Sequence, residues 1–377
     1  MSLPKVTILF SDGNLLRDVA AIDGIVGIIG TVETIGLIGV HKVVYNLADA
    51  VEKGFTEADE PAFHRHLKEF YAEVAGNQEL HLMGVADTMT MAQMLDKDDP
   101  DGAVKLLAAA QGKIRLLGCF RKPDVGYEPG NEFFDADVEA ALTKSLTFVP
   151  DQHTKYNYLR VLIEGRVNDE DSNDILDVKT LESKYAGVVL GGSEDDGSAS
   201  VGTILGRASK YAAHIKVGKV ANGPLQLSEA YIGSKLITER LDLETLHGKG
   251  LISFMNHPTK AGIYPGIDRM ANTGDYRLLV HGRIADKAAV IALATYVDEL
   301  EGEVDIVDGK ISELDLAHLE GRILQQLNAS MADQVSAFEV YISPDQDVIG
   351  TNKITIKLRI RPKGYTSFID VDLGLTA

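Results

Sequence analysis

An alternation of short apolar runs with amphipathic stretches, from residue 24 to residue 211, constrains the fold of this chain most strongly. The apolar runs predict strands at residues 24–31, 36–44, 79–86, 113–120, 160–167 and 185–190. Apolar side chains recur at helical spacing between them, which predicts helices at residues 60–75, 90–96, 101–111 and 198–211. Strands that alternate with helices pair in parallel through crossovers, so we expect an α/β domain here.

The remaining segments follow a different order. Residues 121–160 begin with several prolines and glycines and are predicted to be an excursion from the α/β domain, and residues 215–250 are predicted to be a connector. The C-terminal part predicts strands at residues 251–255, 276–280, 337–343, 353–361 and 368–373. It also predicts two amphipathic helices, at residues 284–300 and 315–331. The predicted fold class is therefore α/β, with a crossover domain followed by a smaller mixed α+β domain.

Composition excludes several function classes. The chain of 377 residues has a formal net charge of −19, so phosphates would be repelled and we expect no nucleic acid partner. The long apolar run at residues 22–44 contains five glycines and four charged or histidine residues, which predicts strand–turn–strand and no membrane insertion. The single cysteine, Cys119, lies in an apolar run and is predicted to be a small buried hydrophobe.

A glycine-rich, acidic loop at residues 191–197 leads from a predicted strand into a predicted helix. Such a loop can hold phosphate at a helix N-terminus, and this keeps an α/β nucleotide-binding protein or enzyme as the alternative function. Its spacing matches no phosphate-binding fingerprint, and three carboxylates occupy it, so we expect an exposed turn. The acidic cluster at residues 169–174 lacks the calcium-loop pattern. We predict no catalytic, cofactor-binding or metal site, and no enzyme.

One strand, at residues 353–361, alternates strictly between two kinds of side chain. Its apolar positions are Ile354, Ile356, Leu358 and Ile360, and its opposite face carries Thr355 with the four basic residues Lys353, Lys357, Arg359 and Arg361. Two interpretations remain open. The charges guard an edge strand against aggregation, or they form a basic patch that faces an acidic partner surface.

Both ends of the chain carry a short alternating strand that has no local hairpin partner. The N-terminal strand presents Val6, Ile8 and Phe10 on one face, and the C-terminal strand presents Ile369, Val371 and Leu373. Each can pair within its own chain or add to the sheet of a neighbouring subunit through main-chain hydrogen bonds. Repeated head to tail, the second mode of pairing produces an open helical polymer.

The order of segments in the C-terminal third resembles that of contractile phage tail sheath proteins and of the sheaths of contractile injection systems. The resemblance rests on Leu-His-Gly-Lys-Gly-Leu-Ile-Ser-Phe at 246–254, Gly-Asp-Tyr-Arg at 274–277, Arg-Ile-Ala-Asp-Lys at 283–287, Ile311 between the helices and the closing strands. The opening segment 3–13 is similar to the start of one small-sheath subfamily, and the middle α/β section resembles the family in architecture alone.

This resemblance implies a structural subunit of a contractile tail sheath, which forms a helical homopolymer around an inner tail tube protein and contracts without a nucleotide. It implies an N-terminal arm (1–20), an α/β outer domain (21–235), a tube-facing inner domain (236–363) and a C-terminal arm (364–377).

The arms would exchange strands, with Gly13 and Gly364 as hinges. Helix 315–331 and the loop before Lys353 would approach the tube, and the basic patch at 353–361 would face the tube or another partner. Further implied partners are baseplate and tail terminator proteins, within a virion tail or injection-system particle assembled in the bacterial cytoplasm. The chain lacks room for the extra outer domains of many sheaths.

Overall fold

The computed structural model describes residues 24–130 and 132–373. Its larger part contains a six-stranded sheet in the order β2-β3-β1-β4-β5-β6, in which β2 is an antiparallel edge strand and the other strands are parallel. The strands are β1 (Val26–Val32), β2 (His41–Val44), β3 (Leu80–Ala86), β4 (Leu116–Phe120), β5 (Arg160–Gly165) and β6 (Ala186–Leu190). The predicted parallel sheet is therefore present, although its first predicted strand pair is shorter than expected.

Helices cover both faces of this sheet. They are α1 (Leu47–Glu52), α2 (Pro61–Val74), α3 (Met91–Met94), α4 (Ala103–Ala109), α5 (Ala136–Thr154) and α6 (Val201–Lys210). Helices α2 and α6 pack together on one face, and α3, α4 and α5 contact the other. Because both faces are covered, all residues of β1, β4, β5 and β6 are buried, which is typical of parallel sheets.

Close packing of α2 against α6 depends on glycine. A Cβ atom at Gly202 would lie 2.1 Å from the carbonyl oxygen of His66, and one at Gly206 would lie 2.6 Å from that of Phe70. On the opposite face, Cys119 of β4 is fully buried, with its Sγ 3.5 Å from the Sδ of Met94. Burial raises the pKa of this thiol well above its usual value, which agrees with its predicted role as a small apolar residue.

Helix α5 corrects the prediction for residues 121–160. That segment is not an excursion, because residues 136–154 form a helix of 19 residues that packs on the sheet. The Asp135 side chain caps the helix by accepting from the backbone N–H of Asp137 at 2.9 Å. Pro150 lies inside the helix and accounts for the error, since an internal proline ordinarily indicates a helix boundary.

Residues 211–278 form short elements beside the sheet. They are β7 (Tyr231–Ile232), β8 (Lys235–Leu236), α7 (Leu243–Gly248), β9 (Phe254–His257) and β10 (Lys260–Pro265). Ile252 forms a parallel bridge to Val189, and Leu246, Phe254 and Met270 belong to the core of the α/β part. The strand predicted at 276–280 is wrong, because its apolar residues instead begin a long helix at Leu279.

A second core lies in the C-terminal part. Helices α8 (Leu279–Tyr296) and α9 (Glu313–Met331) pack against each other and against an antiparallel pair of strands. These strands are β13 (Val335–Ile342) and β14 (Ile356–Pro362), while the small hairpin β11 (Ile306–Val307) and β12 (Lys310–Ile311) and the short helix α10 (Val348–Thr351) connect the elements. Ile284, Ile323 and Leu327 are buried at the centre of this core. No helix of the described residues is both long and apolar enough to cross a bilayer.

A buried ion pair joins the two cores. The guanidinium of Arg160, at the start of β5, donates to both carboxylate oxygens of Asp286 in α8, at 2.8 and 2.7 Å. Both side chains are at most 6% exposed. The same guanidinium contacts Gly282, where a Cβ atom would lie 2.5 Å from its Nε. This bidentate pair fixes α8 against the amino-terminal edge of the parallel sheet.

Candidate functional site

The carboxyl edge of the parallel sheet is where α/β proteins ordinarily bind ligands, beside the point at which the strand order reverses. Here the order reverses beside β1, whose neighbours are β3 and β4. The carboxylate of Glu60, which is 2% exposed, accepts from the backbone N–H groups of Glu33 (3.0 and 3.1 Å) and Thr34 (2.6 Å), directly after β1. A side chain of the protein therefore occupies the position that a bound anion would take.

Two further carboxylates fill the same edge. Glu164, at the end of β5, accepts from the N–H groups of Arg121 (3.0 Å) and Ala199 (3.2 Å). Asp137 accepts from the N–H groups of Met91 (2.6 Å) and Ala92 (3.0 Å). Burial raises the pKa of both carboxyl groups, while the donated hydrogen bonds partly oppose that shift. These four backbone N–H groups at the sheet edge are thus already bonded to internal acceptors.

The loop at residues 191–197 is tied to α2. Glu69, buried in α2, accepts from the hydroxyl groups of Ser193 and Ser200, both at 2.7 Å. Glu194, Asp195 and Asp196 are exposed, as the sequence predicted for an acidic turn. A phosphate approaching this loop would meet carboxylates, so the geometry disfavours the nucleotide-binding alternative.

The acidic cluster at residues 169–174 pairs with the β7–β8 turn. Glu170 accepts from the Ser234 hydroxyl at 2.8 Å, and Asp171 lies 2.5 Å from Lys235. Among residues 24–130 and 132–373, no group of three or more His, Cys, Asp or Glu side chains is placed to hold a metal ion.

The strand predicted at 353–361 begins at Ile356 in the structure, so Lys353 lies in the loop before it, and the strand itself alternates between two faces as predicted. Lys353, Lys357, Arg359 and Arg361 are exposed, whereas Ile356, Leu358 and Ile360 are half-buried toward α8 and α9. The partner strand β13 places Glu339 opposite Arg359 and Tyr341 opposite Lys357. Arg361 forms an ion pair with Glu339 at 3.1 Å, and the Lys357 ammonium lies 6.0 Å from the centroid of the Tyr341 ring.

The β13–β14 pair is a sheet with two open edges. Within the part of the chain that the structure describes, neither strand pairs with a third strand. An isolated two-stranded sheet is marginally stable, and packing of its apolar face on α8 and α9 supports this one. Each open edge presents unpaired main-chain donors and acceptors, which are suited to pairing with an added strand.

The C-terminal segment supplies unpaired apolar residues. The strand predicted at 368–373 is absent from the single chain, since these residues form neither helix nor strand and pair with no described edge. Phe368, Ile369, Val371 and Leu373 are 79%, 77%, 79% and 89% exposed. The apolar residues at this end alternate along the segment, but a strand needs a partner that the described part of the single chain does not provide.

Tyr365 anchors the start of this segment. Its hydroxyl donates to the backbone carbonyl of His214 at 2.7 Å, in the loop after α6, and Lys216 donates to the Ser367 hydroxyl at 3.4 Å. A Cβ atom at Gly364, the predicted hinge, would meet no described atom beyond its chain neighbours within 4 Å. This anchor has no local sequence pattern that could predict it, because its partners are 151 residues apart. Val6, Ile8, Phe10 and Gly13 lie outside the described residues.

Solved structures match this fold over the whole chain. A chain of the six-fold symmetrised anti-feeding prophage (AFP) baseplate is 13% identical, with 100% of both chains covered and a TM-score of 0.64. A chain of the AFP helical sheath in its contracted state is 14% identical, with 99% of both covered and a TM-score of 0.61. A chain of the contracted PVC sheath complex, from an extracellular contractile injection system, is 12% identical, with 99% and 98% covered and a TM-score of 0.63.

The fold is therefore that of sheath proteins of contractile injection systems, and the resemblance predicted from the sequence is confirmed. A family match is more specific. The DUF2586 N-terminal domain matches residues 3–269, and the DUF2586 C-terminal domain matches residues 275–377. The chain belongs to the DUF2586 family. No curated protein matches the sequence.

Proposed function

We propose that this protein is a structural subunit of a contractile tail sheath, which polymerises as a helical sleeve around an inner tube and contracts to drive the tube through a target envelope. The observation that carries the proposal is the combination of an open two-stranded sheet with an unpaired, apolar C-terminal segment. The fold supports it, since similar chains come from helical sheaths of contractile particles.

Strand exchange provides the mechanism of polymerisation. The segment 368–373 of one subunit, and the alternating segment 3–10 of another, add to the open edges of the β13–β14 sheet. Each addition pairs main-chain groups that the single chain leaves unpaired, and it extends a marginal sheet to three or four strands. Because the donor and acceptor surfaces differ, the contact is head to tail and generates a helix.

Contraction requires a subunit that moves as one body and linkers that bend. The Arg160–Asp286 pair holds the α/β part and the C-terminal part together. Bending at Gly13 and Gly364 changes the direction of the arms, while the exchanged strands keep their hydrogen bonds. Energy for the movement is stored in the extended assembly. The filled crevice beside β1 agrees with a cycle that uses no nucleotide.

The same proposal assigns surfaces and partners. The boundary between the outer domain, expected at 21–235, and the inner, tube-facing domain, expected at 236–363, is placed near residue 275, because Leu246, Phe254 and Met270 pack in the α/β core. The arms are residues 1–20 and 364–377. Helix α9 and the loop before Lys353 approach the inner tail tube protein. The ends of the sleeve contact baseplate and tail terminator proteins, and the particle is assembled in the bacterial cytoplasm as a phage tail or an injection system.

Negative-stain microscopy of the purified chain tests this function. We expect tubes or rings for the full-length protein, and folded monomers for variants lacking residues 1–12 or 366–377. Folding of each truncated variant is verified by circular dichroism and a cooperative melting transition. Polymerisation of both truncated variants as readily as the full chain would overturn strand exchange.

A further inference from the structure

We propose that the basic face of β14 selects the C-terminal segment of a second copy, and that Tyr365 prevents the same segment from pairing within its own chain. This inference rests on the strand exchange proposed above and specifies which edge accepts which segment. Three observations carry it: the alternation of charge and apolarity in both partners, the different charges at the two sheet edges, and the Tyr365 anchor.

The side-chain pattern of segment 368–373 matches that of β14. Ile369, Val371 and Leu373 alternate with Asp370 and Asp372. Directly opposed residues of paired strands lie on the same face of a sheet, and side chains alternate between faces. With Val371 opposite Leu358, in either strand direction, all three apolar residues of the segment extend the half-buried face. Both aspartates then lie on the exposed basic face.

Charge distinguishes the two edges. On this face β14 carries Lys357, Arg359 and Arg361, whereas β13 carries the carboxylate of Glu339. A strand with two aspartates is attracted at the β14 edge and repelled at the β13 edge, because like charges on neighbouring strands destabilise pairing. Ile356, Leu358 and Ile360 of β14 provide the apolar contacts to the added segment. The charges determine which of the two edges the segment pairs with.

Pairing within one chain is the competing arrangement. With Val371 opposite Leu358 in the same chain, an antiparallel return would leave residues 362–367 as the connection, a length that is common between elements of compact domains. The Tyr365 hydroxyl instead donates to the His214 carbonyl, and the Lys216 ammonium lies 5.6 Å from the Tyr365 ring centroid. Burial, with the nearby Asp268, raises the pKa of Tyr365 to about 12, so its hydroxyl remains a donor at neutral pH. The anchor directs the segment away from its own sheet.

Charge reversal in the full-length chain tests the choice of edge. Asp370→Lys/Asp372→Lys reverses the donor segment, and Lys357→Glu/Arg359→Glu reverses the acceptor face. Each variant alone is expected to need at least about tenfold more protein for half-maximal polymerisation, measured by sedimentation, since two attractive contacts become repulsive. An equimolar mixture of the two is expected to polymerise, because each then offers the surface that the other lacks.

These outcomes separate the inference from the function on which it rests. If the wild type polymerises but the reversed variants polymerise equally well, charge selection at β14 is overturned and strand exchange stands. A single chain that carries all four substitutions has both surfaces reversed. If neither this chain nor the mixture of the two double variants polymerises, selection by these charges is overturned. If the wild type itself forms no polymer, the proposed function fails first. All four substituted residues are exposed, and unchanged melting temperatures verify folding.

A cysteine pair tests the anchor. Leu358→Cys/Val371→Cys is expected to cross-link between copies upon oxidation, giving a ladder on a non-reducing gel, and buried Cys119 supplies no competing thiol. Adding Tyr365→Ala is expected to shift the products toward intrachain cross-links, which run as monomer. Tyr45→Ala, which removes an exposed tyrosine that follows β2, is the matched control. An unchanged ratio with Tyr365→Ala overturns the role of the anchor, and absence of interchain links in the polymer overturns the pairing.

Discussion

Asp286 is the residue at which the two cores depend on each other. Its carboxylate is the acceptor of both Arg160 contacts, and the pair is almost fully excluded from solvent. Removing one partner of such a pair leaves a buried charge that has lost its counterion and its main hydrogen bonds. That loss is larger than the net contribution of the intact pair.

We therefore expect Asp286→Ala to lower the free energy of unfolding by about 3–5 kcal/mol, measured by urea denaturation. Glu339→Ala is the matched control, because it removes an ion pair with Arg361 in which both side chains are more than half exposed. A variant at Asp286 that is as stable as the control would show that the junction is held by apolar packing alone.

Residue-scale contacts were the least predictable from sequence. The buried, hydrogen-bonded position of three carboxylates could not be predicted, because an acidic residue beside a helix or strand is ordinarily solvated. They belong to Glu60, Glu164 and Asp137. Their role arises from three crossovers that bring distant backbone N–H groups to one sheet edge. Strand-scale features were predictable: the two faces of β14 follow from alternation within a single segment.

Helix α5 shows how an element can be missed by local reasoning and recovered by topology. Strands β4 and β5 are parallel neighbours, and a parallel pair requires a crossover connection of a dozen or more residues. Both strands were predicted, so the intervening residues 121–159 had to contain a crossover element. The internal Pro150 obscured the helical pattern, whereas the requirement for a crossover did not depend on it.

Pro150 gives a prediction at this scale. Proline inside a helix removes one backbone hydrogen bond and clashes with the preceding turn, so Pro150→Ala is expected to raise the free energy of unfolding by about 1 kcal/mol or more. Pro129→Ala, in the preceding loop, is the control, and we expect it to leave stability unchanged or slightly lowered. Thermal denaturation of both variants measures the effect. A clear loss of stability in Pro150→Ala would mean that packing of the proline ring outweighs the helical penalty.

At the scale of the whole molecule, the two cores are expected to unfold together. The second core is small and borders the first through α8 and the loop that contains Ala213. Hydrogen exchange followed by mass spectrometry should give the same opening free energy for buried amides of β5 and of α9. Asp286→Ala should lower the opening free energy of α9 below that of β5. Independent opening of α9 in the wild type would contradict the description of the subunit as one rigid body.

Cys119 has a practical consequence for following the movements of this protein. The only thiol of the sequence lies inside β4, is fully buried, and has a raised pKa that keeps it protonated. Thiolate is the reactive form, so maleimide dyes will not modify this position in the folded state. A cysteine introduced at an exposed site would then be the sole labelled position, and wild-type Cys119 need not be replaced. Dye pairs on neighbouring subunits could thus report shortening of the assembly in real time.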